Sequence, residues 1–322
     1  MIEFVNAKIN IGLQIVRRRE DGYHDLQTVF YPVGRYAGLP DNPEPFCDIL
    51  EIIPAKEPGI RFHFKGRMID CPEEKNLVCK AAGLFFEASE SDSLALASSA
   101  SASARGERGL EIILEKHLPD GAGMGGGSAD ASFTLRMLNE LISQGYLTER
   151  GYLARQGASA GQGYSDEELA EMALRLGADC PFFIYNRPMY GCGVGEKLTD
   201  VKLDLTGYWL VVVKPDVYVS TRDAFAGVIP RPGNIDLRTI AEISITDWQD
   251  VVVNDFETSI FPKFPELARI KERLIRNGAV YASMTGSGSS IYGIYDDYEK
   301  AMVSREDFRG ETTIEGTYLL KL

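Results

Sequence analysis

From residue 5 to residue 16 the chain reads VNAKINIGLQIV. Apolar and polar positions alternate there and β-branched residues are frequent, which predicts a strand. The charged run Arg17-Arg18-Arg19-Glu20 and the turn pair Asp21-Gly22 end it. The same signature predicts strands over residues 27–33, 48–54, 59–64 and 110–115. Further strands are predicted over residues 182–185, 189–194, 209–214, 281–284 and 290–295. Helical spacing of Leu77, Ala81, Leu84 and Phe85 predicts a helix over residues 74–87, and residues 129–142 form a strongly amphipathic one after a loop at 118–128. Ser165 and Glu168 stand at capping-box spacing, so a third helix is expected from there to about Leu176, stopped by Gly177. Shorter helices are expected near residues 221–225, 251–260 and 265–277. The Ser/Ala-rich stretch 89–109 and the Gly-rich stretch 144–164 read as surface loops. Strands and helices mix without strict alternation, which favours an α+β fold over a doubly wound sheet.

A length of 322 residues suggests two domains, divided here into 1–203 and 204–322. With 44% hydrophobic residues the chain can bury a core, so global disorder is excluded. Lys and Arg number 34 against 47 Asp and Glu, a net charge of −13, which argues against binding nucleic acid through bulk charge. Any anion must be held locally, by oriented N–H groups and a few placed cations. Five Cys without a C-x-x-C pattern suggest neither a disulfide framework nor a zinc site. With no leader-like N-terminus and no long apolar run, a cytoplasmic protein without membrane contact is expected, as a monomer or homodimer.

The strongest local chemistry lies in Pro119-Asp120-Gly121-Ala122-Gly123-Met124-Gly125-Gly126-Gly127-Ser128. Five glycines in seven residues cost backbone entropy and make sense where N–H groups must approach a ligand closely. A helix follows directly, so its free N–H groups and dipole face the same place, and the combination is an anion cradle. Neither a Walker P-loop nor the protein-kinase signature is present. Three other clusters carry polar groups among apolar ones. Lys8 and Asn10 share one face of the first strand, although a lysine there can equally extend to solvent. Tyr23-His24 follows the Asp-Gly turn and offers an aromatic face with a ring that donates and accepts. Asp179 sits between Gly177 and the apolar run Pro181-Phe182-Phe183, where a carboxylate is partly desolvated or simply binds a nearby backbone N–H.

Taken in this order, several stretches resemble the GHMP kinase superfamily, and within it the branch acting on 4-diphosphocytidyl-2-C-methyl-D-erythritol. They are Ala7-Lys8-Ile9-Asn10, Asp21-Gly22-Tyr23-His24 with Leu26-Gln27-Thr28, Asn76-Leu77, Lys116, and residues 123–130, 176–183, 193–196 and 284–290. The Asp-Gly-Tyr-His run is the most specific of them. The resemblance implies a two-domain fold, the N-terminal domain like ribosomal protein S5 domain 2 and the C-terminal one ferredoxin-like. It implies transfer of the ATP γ-phosphoryl group to a tertiary alcohol, a reaction that needs positioning and charge stabilisation. Asp179 would then accept the hydroxyl proton and Lys8 would lie against it. Pro119, Gly121, Gly123, Met124, Gly125, Gly126, Gly127 and Ser128 would wrap the phosphates, with Ser128 near Mg²⁺. Asn76, Leu77 and Lys116 would line the adenosine side. Tyr23 and Phe225, with Thr221 nearby, would hold the cytosine, His24 would read its edge, and Asn10 would bind near the methylerythritol end. Two departures stand out: Ala129 replaces the second of two serines usual in the family, and Asp120 adds a negative charge where an apolar residue is common.

Overall fold

A computed structural model of the chain describes residues 1–34, 46–55, 59–68, 71–96, 109–147 and 163–322. Its strands, in chain order, are β1 (Ile2–Val5), β2 (Ala7–Arg18), β3 (His24–Val33), β4 (Asp48–Ala55), β5 (Ile60–Gly66), β6 (Gly109–Lys116), β7 (Met189–Gly193), β8 (Lys197–Asp200), β9 (Trp209–Pro215), β10 (Tyr281–Met284), β11 (Ile291–Tyr295) and β12 (Ile314–Lys321). The helices are α1 (Leu77–Leu96), α2 (Gly126–Ser143), α3 (Asp166–Leu174), α4 (Cys180–Tyr185), α5 (Thr221–Ala226), α6 (Trp248–Val251), α7 (Glu257–Ile260), α8 (Pro265–Arg276) and α9 (Tyr298–Phe308). Among the described residues no helix is long and apolar enough to cross a membrane.

The chain divides into two compact units interleaved along the sequence. The first comprises Met1–Val5, Cys47–Leu118 and Gly126–Tyr185; the second comprises Asn6–Phe46, Pro119–Gly125 and Asn186–Leu322. Residues 203 and 204 both belong to the second unit, because β2 and β3 share a sheet with β7 and β8.

In the first unit the sheet order is β1-β4-β6-β5, with β6 antiparallel to β4 and parallel to β5. The period of two puts Leu110, Ile112 and Leu114 of β6 inward, and Leu50 and Ile52 of β4 with them. Helix α2 packs against α1, α4 and β4, burying Ala131, Leu135 and Leu138. In the second unit two antiparallel sheets, β2-β3-β7-β8 and β10-β11-β9-β12, share a core in which Leu13 and Ile15 meet Val211, Val213, Met284 and Ile291. Leu267, Ile270 and Leu274 recur on one face of α8 and are buried on this core.

Several local expectations change. Residues 182–185 form helix rather than strand: Phe182, Phe183 and Ile184 are all buried, so the apolar run carries no period to separate the two, and Pro181 suits a first helical turn. Helix α2 starts at Gly126, so Gly126, Gly127 and Ser128 are its first turn and not loop. The single helix expected over 251–260 is two short ones. Between them Asn254 accepts the Phe256 N–H at 3.0 Å and donates to the carbonyls of Met284 and Gly286 at 2.7 and 2.9 Å. Strands β8 and β12 and helix α9 come in addition. Helix α1 continues to Leu96, into the stretch expected as loop; residues 97–108, and 148–162 of the second expected loop, lie outside the described residues. The capping box is formed: the Glu168 N–H donates to the Ser165 hydroxyl and the Ser165 N–H to the Glu168 carboxylate.

Candidate active site

In the second unit, β2 is buried along both faces from Ala7 to Ile15, so Lys8 does not reach solvent. Its Nζ donates to Asn10 Oδ1 at 2.5 Å and to the Gly123 carbonyl at 3.1 Å, 5.3 Å over the Phe30 ring. The Lys8 N–H also donates to the Met124 carbonyl at 3.0 Å. The lysine is therefore aimed by the glycine-rich segment itself. The Thr285 hydroxyl bridges the same two elements: it accepts the Asn10 N–H at 3.2 Å and donates to the Gly123 carbonyl at 3.1 Å. Gly123 has φ +74°, and a Cβ there would stand 2.2 Å from the Thr285 carbonyl oxygen, so this approach requires glycine. Asn10 was expected toward the acceptor. Here its amide is taken up by Lys8 and by the Thr28 hydroxyl at 3.0 Å, and it orients the lysine.

The acceptor-side residues lie in this unit too. The His24 ring stacks on Phe225 with centroids 4.9 Å apart and planes at 20°, and Phe225 meets Phe256 edge-on. Burial, helped by Arg18, holds the His24 imidazole below its ordinary range, which keeps it neutral near pH 7 and able both to donate and to accept. Tyr23 is 65% exposed, its N–H held by Asp21 Oδ1. Thr221 is exposed at the start of α5, one turn before Phe225. Pro119 and Met124 are buried, Gly121 lies against the Tyr218 ring, and Asp120 is exposed, so its charge points to solvent.

In the first unit Gly126, Gly127 and Ser128 open α2, and the first N–H groups of a helix have no partner within it. The Ser132 hydroxyl lies 2.9 Å from the Ser128 carbonyl and 2.7 Å from that of Cys180, tying the start of α4 to the first turn of α2. Asp179, half-buried, immediately precedes α4, so the structure brings it and Ser128 into one neighbourhood. Burial pushes the Cys180 thiol up to about 11, which removes it as a nucleophile. Asn76 is buried and accepts the Val78 N–H at 2.9 Å, and Leu77 next to it passes beside Gly127. Ala129 is fully buried, so the hydroxyl missing there belongs to an inward-facing position. Lys116, expected on the adenosine side, turns its side chain inward to Asp48 and to Asp130 Oδ2, the latter at 2.8 Å. Burial alone would lower the ammonium, but the two carboxylates outweigh it and hold it raised. Burial, with Asp48 beside it, pushes the Asp130 carboxyl up against the pull of Lys116.

Comparison with known proteins identifies the family. Residues 76–187 match the GHMP kinases N terminal domain and residues 235–304 the GHMP kinases C terminal domain. A 4-diphosphocytidyl-2-C-methyl-D-erythritol kinase from Bacteroides fragilis is 41% identical over 310 residues, 96% of each chain. The chain belongs to this family of GHMP kinases. A relative of the same description from Porphyromonas gingivalis is 37% identical over 320 residues, covering 98% of this chain and 100% of that one. A crystal structure of 4-(cytidine 5'-diphospho)-2C-methyl-D-erythritol kinase superposes over the full length of both chains with a TM-score of 0.73 at 29% identity. A homoserine kinase from Cytophaga hutchinsonii, at TM-score 0.61 and 17% identity, shares the fold. The two-domain GHMP kinase fold, with strands and helices mixed, is thus the expected one. Sequence reasoning missed Asp48, Thr285 and the Tyr292 hydroxyl, which donates to the Asn10 carbonyl at 2.8 Å. For Thr285 a signal existed, the small-residue loop at 284–290; for Asp48 it was a carboxylate in period with Leu50 and Ile52.

Proposed function

We propose that this GHMP kinase transfers the γ-phosphoryl group of ATP to the 2-hydroxyl of 4-diphosphocytidyl-2-C-methyl-D-erythritol, a step of non-mevalonate isoprenoid precursor synthesis. The observation that carries the choice of acceptor is the stacked His24–Phe225 pair, in a chain 41% identical to a kinase of that description. An aromatic face with a neutral imidazole suits a base, whereas mevalonate, homoserine or a sugar has nothing to stack on it. The donor phosphates rest on the N–H groups of the first turn of α2. Asp179 takes the proton of the attacking hydroxyl, and Lys8, aimed by Asn10 and Gly123, offsets charge on the transferring group. Among the described residues no group of three or more acidic, His or Cys side chains converges as a metal cage. That suits Mg²⁺, which arrives with phosphates and water and needs few protein ligands; Ser128 Oγ is a hard oxygen on the right turn and would be one. When bound, the ion neutralises phosphate charge.

A coupled ADP-release assay over the cytidylyl alcohol, mevalonate, homoserine and galactose tests the reading. ADP is expected with the first alone, and comparable kcat/KM on any other acceptor would replace it. Tyr23→Ala is expected to raise KM for the cytidylyl alcohol about tenfold, as loss of one stacked base would. KM for ATP should stay put. Because Tyr23 is 65% exposed, the change costs the fold little, and an equal rise in both KM values would make Tyr23 structural.

A further inference from the structure

We infer that Asp48, Lys116 and Asp130 form a buried ionic clamp that positions the first turn of α2, and that they act on nucleotide binding through it. The inference rests on the reading of that turn as the ATP phosphate site. It begins with strand period. Lys116 follows Leu110, Ile112 and Leu114 on the inward face of β6, and Asp48 precedes Leu50 and Ile52 on the inward face of β4. The antiparallel register, with Ile49 opposite Glu115, brings these two ends together. A lysine at such a position is 5% exposed and must find partners. One is Asp48 of β4 and the other is Asp130, in the second turn of α2.

The cluster sits where the chain departs and where it returns. The first unit is left after Leu118 and re-entered at Gly126. At the exit, Asp48 Oδ1 accepts the N–H groups of His117 and Leu118 at 2.7 and 2.8 Å. At the re-entry, the Lys116 ammonium reaches Asp130 and lies so close beneath Gly126 that a Cβ there would stand 3.3 Å from Nζ. One carboxylate therefore fixes the end of β6, and one ammonium carries that position across to the helix start. The segment between, Pro119–Gly125, belongs to the second unit, so these bonds hold the helix start at the end of β6 inside the first. Buried charges add little net stability but demand strict geometry, which suits a part that must present N–H groups at a fixed place.

The test is ATP affinity, measured by calorimetry without acceptor, beside both KM values and thermal melting. Asp130→Ala cuts the tie to α2 and leaves Lys116 paired with Asp48. It is expected to raise the ATP Kd about tenfold, the weight of one charge-assisted bond, with KM for the cytidylyl alcohol within about twofold. Asp130→Asn keeps the shape and a neutral acceptor and should recover most of the loss, ending about threefold above wild type. An ATP Kd within twofold of wild type in Asp130→Ala, or equal losses on both substrates, overturns the clamp. Should Asp130→Ala not melt cooperatively, an unchanged ATP Kd in Asp130→Asn overturns it alone. A wild-type protein that binds ATP yet leaves the cytidylyl alcohol unphosphorylated refutes the proposed acceptor and leaves the clamp standing.

Discussion

Asp179→Asn is expected to lower kcat by about 10²–10⁴-fold, the usual contribution of a positioned general base, while ATP binding stays within about twofold. The substitution keeps the size of the side chain and removes its ability to take a proton. Asp179 stands just before α4, whose first carbonyl shares the Ser132 hydroxyl with the first turn of α2, so an amide there is held in the same place. Phosphoryl transfer leaves little covalent chemistry to the protein, and a group acting on the hydroxyl contributes in the transition state rather than in the ground-state nucleotide complex. The measurement is kcat from ADP release at saturating substrates, with ATP Kd from calorimetry. A kcat within fivefold of wild type would make Asp179 a structural residue binding a neighbouring backbone group. A parallel collapse of ATP affinity would move it from the acceptor to the phosphates.

How much of this was legible in the chain depended on whether the signal was local. The strands β2 and β6 were readable because alternation survives in them, and the α3 start was readable because Ser165 and Glu168 are three residues apart. Helix α4 was misread because its residues are buried on every side and the pattern loses its period. The glycine-rich segment announced backbone proximity, yet not that its last two glycines would already be helical. Polar residues in apolar strands were visible as exceptions, while their partners were not. Lys116 meets Asp48 from 68 residues away and Asn10 meets Thr285 from 275, distances over which spacing carries no information. For that reason the protein partners of Asn10 and Lys116 could not be read from the chain, and no role was assigned to Asp48 or Thr285. For Lys8, Asp179 and His24 the residue type left a structural role open, and it was the resemblance to the family that singled them out.

Lys8→Ala is expected to cost about 10²–10³-fold in kcat, the scale seen when one preorganised donor to a developing charge is removed. Lys8 is 3% exposed, its ammonium held between Asn10 Oδ1 and the Gly123 carbonyl, and therefore acts in a dry setting where a fixed charge counts for more than it would in water. Alanine also leaves the Asn10 and Gly123 oxygens without that donor. Lys8→Met separates the two effects: it fills the space over Phe30, so a matching kcat loss in both variants assigns the loss to the charge. Combining Lys8→Ala with Asp179→Asn should then cost little more than the worse single change. Groups serving one transition state behave as a unit, since once the proton acceptor is gone the stabilising cation has less charge to act on. A double-mutant cycle on kcat measures this directly. If the two losses multiply in full, Lys8 and Asp179 serve separate steps, and the resemblance that implied their pairing fails for this chain.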